Sequence, residues 1–351
     1  MSFKKVLSEK RIPVETPSDV IDEKGKAIFG TFDTEFPSMN FLDIHHQTFL
    51  PDFTNRFRYT SWEATEVTLD DIILVTAVCN MGLFGTSLSV VYDGKEKKCI
   101  ACQEMMLPSQ SVISKNLLDG DTTKSRSVIN RVNICNDFGN GSAHVKGRTL
   151  KPGCKIKYNF KLTRVSKPSV VMIPFGKNKP LYSQKDLFKA EGYIVVNGKK
   201  YKTNEHSTAI IDDHKGYYPY NSHYDWVTTM GTNTVNGKTQ FFGFNLTRNQ
   251  SVNQDDYNEN LIWFEDGRSR LTPVKFTHDE YDFWHITDEH GMVDLYFDIG
   301  DRHHMEVHLG IVDEDYHITF GELRGFVCDE DGNKYIVDGM PGIGEDKSLR
   351  I

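Results

Sequence analysis

Apolar and polar residues alternate with a period of two along much of the chain, the spacing of a strand that buries one face. Ile156, Tyr158, Phe160 and Leu162 fall on one side of such a run, and Lys155, Lys157, Asn159 and Lys161 on the other. The alternation recurs at Leu88, Val90 and Tyr92, at Phe242, Phe244 and Leu246, at Val293, Leu295 and Phe297, and at Met305, Val307, Leu309 and Ile311. Between these runs stand Asp93-Gly94, Asn197-Gly198, Asn236-Gly237, Asp266-Gly267 and Asp331-Gly332, pairs that accept the positive φ angles of tight hairpins. The expected pairing is therefore antiparallel. Helical periodicity is scarce, and one short helix is expected from Ser183, in the turn opened by Asp186, to about Gly192.

Many strands at hairpin spacing point to closed barrels or a sandwich, because closure removes the unpaired edges that promote aggregation. A chain of 351 residues fills one very large β domain or two medium ones, and two is the expectation. The polar stretch from Asn249 to Asn260, with Asp255, Asp256 and Glu259, is the expected boundary. It gives a first barrel over residues 56–250 and a smaller second one over 251–351. Residues 1–55, with Pro13, Pro17, Pro37 and Pro51 and little periodicity, are expected to wrap over a barrel as an irregular arm.

Composition narrows function more than fold. The hydrophobic share of 38%, with 12% aromatic residues, supports a packed core rather than disorder. A net charge of -8, spread in alternating signs without a basic stripe, disfavours a nucleic-acid partner. No run approaches the roughly 18 apolar residues of a membrane span, and the first residues are charged, so a cytoplasmic location is expected. Cys79, Cys99, Cys102, Cys135, Cys154 and Cys328 make no disulfide framework and read as reduced core thiols. Cys99 and Cys102 have the spacing of a redox or zinc pair but lack a second pair. Arg56, Arg58 and Arg131 come without a glycine loop for phosphate, so no nucleotide and no other cofactor is expected.

The densest chemistry runs from Asp212 to Trp226, where two histidines, several acids and four tyrosines follow an apparent strand, Ser207 to Ile211. Gly216 and Pro219 break the backbone there and gather these groups on a turn. A carboxylate beside an imidazole fixes its tautomer and raises its basicity, which suits acid and base work near neutral pH. The same residues, Asp213, His214 and Tyr218, also fit a satisfied buried network that only pins the turn. His304, Glu306 and His308 alternate along one strand and point the same way, a spacing that can surround a metal. Met305, Val307 and Leu309 opposite make it an ordinary half-exposed strand, so no metal is expected, and His45-His46 adds no anchor.

The segment, together with Trp62-Glu63-Ala64 and Asp70-Asp71, resembles the bacterial family called domain of unknown function 2804 over nearly the whole chain. More distantly it is similar to the lipocalin-like superfamily of carotenoid hydratase, kievitone hydratase, tocopherol cyclase and lipocalin-like Diels-Alderases. The resemblance implies an all-β fold of two consecutive lipocalin-like antiparallel β-barrels with few short helices. It also implies an acid-and-histidine motif at a strand end, matched by Asp213-His214, with Gly216 approximating the usual glycine. Gly321 to Gly325 and Gly339 to Glu345 resemble the closing strands and make Glu345 a second carboxylate. The implied site therefore has Asp213, His214 and Glu345 as catalytic groups and Tyr217, Tyr218, His223, Asp225 and Trp226 against the substrate. The implied chemistry is hydration, isomerisation or cyclisation of a small apolar molecule, lipid or isoprenoid-like, started by an acid. Two alternatives stand beside it: a carrier that binds such a ligand unchanged, and a carbohydrate-active enzyme pairing Asp213 or Asp225 with Glu345.

Overall fold

The period-two pattern is realised as two curled antiparallel sheets in the computed structural model, which describes residues 2–45, 50–177, 179–235, 237–279, 282–310 and 312–350. In the middle of the first sheet, Ile72–Asn80, Thr60–Leu69, Thr208–Gly216, Pro180–Val196 and Ile156–Arg164 lie side by side. The sheet curls until its two ends meet. Ser89 Oγ donates to Asn130 Oδ1 at 2.9 Å, and Asn130 Nδ2 donates to the Cys102 carbonyl at 3.2 Å. In the second sheet Asn221–Val235 runs between Lys238–Arg248 and Met340–Arg350, followed by Val312–Cys328, Val293–Leu309, Phe283–Asp288 and Val274–Asp279. The result is a near-closed barrel followed by a half-barrel, the two-barrel all-β architecture expected. Each has its own apolar interior, and a third cluster lies between them. There Ile73, Val75 and Ile210 of the first sheet pack against Trp226, Trp263 and Phe320 of the second.

Two expectations need correction. The chain leaves the first sheet after Gly216 and enters the second at Asn221. The stretch 249–260, expected to divide the barrels between residues 250 and 251, instead joins two strands of the second sheet. It is polar because its side chains are tied down: Asn249 Nδ2 donates to Glu259 Oε1 at 3.0 Å and Asn260 Nδ2 to the Thr272 carbonyl at 3.1 Å. The helix expected from Ser183 to Gly192 lies within one continuous strand, Pro180–Val196. Alternation is present there but masked by polar groups on both faces. Tyr182, Gln184, Asp186 and Phe188 face the first barrel, and Leu181, Ser183, Lys185 and Leu187 face the second sheet. The expected strand at Met305 is likewise continuous with that at Val293, across a bulge at Gly300. Asn236, His46 and Ile311 lie outside the described residues.

The arm is mostly irregular. Its short strand Gly30–Phe32 pairs with Val170–Pro174, and Phe32, Phe36 and Phe41 pack on Tyr182 and Tyr217. Further back, the buried Arg11 guanidinium donates to the carbonyls of Asn260 at 3.0 Å and Asn258 at 3.4 Å, and to that of Leu271.

Gly300 marks the closest approach of the sheets. A Cβ there would collide with the hydroxyl of Tyr92, which stacks on Phe320 with centroids 5.4 Å apart. Gly300→Val is expected to displace that ring and cost about 1–3 kcal/mol by overpacking, read as a lower midpoint in urea unfolding. An unchanged midpoint would show that the contact carries no strain.

Candidate functional site

Strand geometry decides which groups meet. Every residue of Thr208–Gly216 is buried, and successive side chains point to opposite faces. Asp212 and His214 therefore look toward the second sheet, while Asp213 and Lys215 look into the first barrel. The expected Asp213-His214 pair is not formed, because neighbours in a strand cannot share a face. The partner of the imidazole is Asp212, whose Oδ1 lies 3.1 Å from His214 Nε2.

Around that pair the two sheets form a narrow cleft with an interior volume of about 30 Å³. Lys185, on the neighbouring strand, sits 3.2 Å from Asp212 Oδ2 and 2.8 Å from Glu259 Oε2. Glu259 also lies 3.5 Å from His214 Nε2 and accepts from Ser183 Oγ at 2.8 Å. Lys185 and His214 thus face Asp212 and Glu259, and all four groups are buried. Burial alone would depress the His214 pKa, but the charges of Asp212 and Glu259 outweigh it and hold the value above normal. Burial alone would raise Glu259; Lys185 and His214 reverse this and keep it well below the usual carboxylate range. Among the described residues neither ring nitrogen of His214 makes a hydrogen bond of good geometry; Nε2 is held at ion-pair distance and Nδ1 has no partner.

The walls are aromatic. Trp62 stacks on His214 with centroids 4.3 Å apart, and its Nε1 donates to the Tyr218 hydroxyl at 3.2 Å. Trp226 and Tyr224 close the other side. Glu345 reaches the same cleft, accepting from Tyr224 at 3.0 Å and from Tyr316. Burial raises its pKa despite those bonds. Trp62, Tyr224 and Glu345 also line an adjoining cavity of about 80 Å³, whose apolar walls include Val75, Ala77, Met81 and Leu88. Glu66 is buried beside them, and its pKa is raised well above normal by burial and by the charges of Asp212 and Glu345.

Inside the first barrel, Asp213 pairs with Lys215. The nearby Glu63 carboxylate accepts from Ser114 at 2.9 Å, from Asn136 at 2.8 Å and from Thr123. Burial, then the charge of Asp213, raises the Glu63 pKa from 4.5 to about 7. A folded-state pKa raised this way contributes stability in full below about 4.5 and loses it as pH climbs to about 7. Glu63→Gln removes that dependence. The stability difference, variant minus wild type, should shift in the variant's favour by on the order of 3 kcal/mol between about pH 4 and about pH 8. Parallel pH–stability curves from urea unfolding would refute the assignment.

Of the residues expected at the site, His214, Tyr218, Trp226 and Glu345 line the cleft, and the structure brings them together. Asp213 does not reach it. Tyr217 is held under the arm, its hydroxyl donating to the Phe41 carbonyl at 2.8 Å. His223 and Asp225 lie on the opposite face of their strand from Tyr224 and Trp226, turned away from the cleft. Lys185, Glu259 and Trp62 were missed as site residues. Alternation signals only one omission, since it places Asp212 with His214. His304 pairs with Asp315 at 2.8 Å, and His308 with Asp313 at 2.5 Å, so the expected His304, Glu306 and His308 set is divided among carboxylates of the next strand. Cys99 and Cys102 fall on opposite faces of one strand, and burial raises both thiol pKa values.

Among the described residues no helix is long and apolar enough to cross a membrane. No curated protein matches the chain. Among solved structures it is similar to kievitone hydratase from Nectria haematococca, with 9% identity and a TM-score of 0.46 over 83% of this chain and 88% of that one. It is also similar to CghA with Sch210972, with 6% identity and a TM-score of 0.48 over 96% and 97% of the two chains. Residues 11–351 match the family model described as domain of unknown function 2804, and the chain belongs to that family.

Proposed function

We propose that the cleft between the two sheets is the active site of a cofactor-independent enzyme of the hydratase, isomerase or cyclase type, acting on a small apolar molecule with a polarised double bond. The observation that carries this reading is the state of His214. It is a buried imidazole on the wall of an aromatic cleft, with the carboxylates of Asp212 and Glu259 at ion-pair distance from Nε2, where their charges favour the protonated ring. Such a group donates a proton where little water competes.

In the proposed step the His214 proton moves to one carbon of the double bond, whose π electrons form the new C–H bond. The positive charge left on the substrate is stabilised by the faces of Trp62 and Trp226 and by the Asp212 and Glu259 carboxylates. Loss of a proton from a neighbouring carbon back to His214 completes an isomerisation. Attack by an internal double bond followed by proton loss gives a ring, and attack by water, with loss of one of its protons to His214, gives the hydrated product. Tyr224 and Tyr316 orient Glu345 where the cleft adjoins the second cavity, which must widen to take the apolar body of the substrate.

The test is incubation with a panel of conjugated apolar alkenes in deuterated water. Deuterium appearing on carbon in the wild type but not in His214→Gln supports proton transfer. Native mass spectrometry showing a bound alkene recovered unchanged and unlabelled would replace the enzyme with a carrier.

A further inference from the structure

A second cluster stands on the far face of the Asn221–Val235 strand, at one end of the half-barrel. His223 and Asp225 alternate with the cleft residues Tyr224 and Trp226, so they lie on the opposite face of the strand, Asp225 buried and His223 half-exposed at the rim. Asp346 is the register partner of Asp225 on the next strand. His278 arrives from Val274–Asp279, at the other end of the hydrogen-bonded strand order, and stacks on Trp284 at 4.5 Å. Curling of the sheet brings the four together.

Three features of this group are unusual for an ordinary ion-pair network. Two carboxylates directly opposite one another on adjacent strands repel. The Asp225 residue is only 8% exposed, yet its Oδ1 accepts no hydrogen bond among the described residues. The ligand atoms of His223, Asp225 and Asp346 all lie within 4.8 Å of one another.

His278 stands within ion-pair distance of both carboxylates of this trio, through a different ring nitrogen for each. His278 Nε2 stands 3.1 Å from Asp225 Oδ1, and His278 Nδ1 stands 3.6 Å from Asp346 Oδ2. His223 Nε2 stands 3.6 Å from Asp225 Oδ2, and His223 Nδ1 stands 3.8 Å from Asp346 Oδ1. With metal–ligand bonds of about 2.0–2.2 Å, neighbouring ligand atoms around a tetrahedral ion are about 3.3–3.6 Å apart.

We propose that His223, Asp225 and Asp346 form a binding site for a divalent transition ion of the zinc class, which His278 completes by turning one ring nitrogen toward the ion. Each residue supplies one nitrogen or oxygen, and the imidazoles bind as neutral ligands after releasing any proton they carry. Two imidazoles with two carboxylates select Zn²⁺, Co²⁺ or Ni²⁺ over Mg²⁺, which prefers an all-oxygen shell. With four protein ligands the site is structural. It clips the end strand carrying His278 onto Asn221–Val235 and Met340–Arg350, across the opening of the half-barrel. The neighbouring trio of His304, Asp315 and His317 has its ligand atoms equally close but is more exposed, which makes it an internal control.

The experiment uses the full chain without a polyhistidine tag, freed of metal by a chelator. Calorimetric titration with Zn²⁺ is expected to give one equivalent, with Mg²⁺ giving none. Co²⁺ is expected to develop the intense visible bands of a four-coordinate ion. A ligand should matter at least as much as an outer partner, so Asp225→Asn and His278→Ala should each weaken Zn²⁺ by about tenfold or more, while His304→Ala leaves it unchanged. Zn²⁺ should also raise Tm in the wild type and not in Asp225→Asn. Should Asp225→Asn fail to fold, His223→Ala, whose side chain is 53% exposed, carries the same comparison. No Zn²⁺ heat and no Co²⁺ spectrum in the wild type would overturn the site. So would undiminished binding in both His278→Ala and His223→Ala.

Discussion

Replacing His214 by Gln is expected to lower kcat on an apolar alkene by about 10²–10⁴-fold, the usual share of a positioned acid, with a much smaller effect on KM. Gln keeps a planar polar head beside Trp62 but has no proton to give. The pH dependence separates this role from simple packing. His214 must be protonated to act first, and its pKa is raised above the ordinary 6.5, so the rate should fall with rising pH at a higher pH than for an ordinary histidine. Asp212→Asn removes an anion that keeps the ring charged, and should move that falling limb to lower pH. Full turnover in His214→Gln, or a limb that does not move in Asp212→Asn, would end the proton-donor assignment.

Lys185→Met should have the largest effect on stability, a loss of about 3–5 kcal/mol, because it strands buried carboxylates without their cation. Lys185 has 6% of its side chain exposed and bridges Asp212 to Glu259, with its ammonium 5.3 Å from the Trp226 ring centroid. Burial would lower its pKa, but the two carboxylates raise it above normal, so the charge is retained across the usual pH range. The midpoint of urea unfolding measures the loss. Adding Glu259→Gln to Lys185→Met should recover part of it by removing one stranded anion. A double variant no better than the single one would show that the cost is packing rather than charge.

The antiparallel β class was legible because half-buried strands such as Ile156–Arg164 announce themselves by alternation. Pro180–Val196 hid its character for a physical reason. It is buried on both faces over much of its length, and Lys185 and Asp186 are among its buried residues, so polarity ceased to report exposure. The same effect made the Asn249–Asn260 stretch look like a linker, although Glu259 and Asn260 are interior. The site was legible as a place, from the density of groups between Asp212 and Trp226. The wrong acid was paired with His214 because adjacency along the chain was read as adjacency in space. Lys185 and Glu259 carry no local signal, since their roles exist only once distant strands meet.

The contacts of Arg11 bear on how this molecule comes together. Its bonds to Asn258 and Asn260 close loops of 247 and 249 residues, and Glu259 stands between those two anchors. Loop closure costs more as the loop lengthens, so such contacts are late events that reward a chain only when most of it is already ordered. During synthesis the middle of the arm can dock once Tyr217 has emerged, whereas Arg11 must wait for Leu271. Glu259 is tied to Asn249 within its own stretch, and Arg11 then braces the backbone on either side of it. The earliest residues of the chain thus act as a late clamp on the segment that carries one member of the four-charge arrangement.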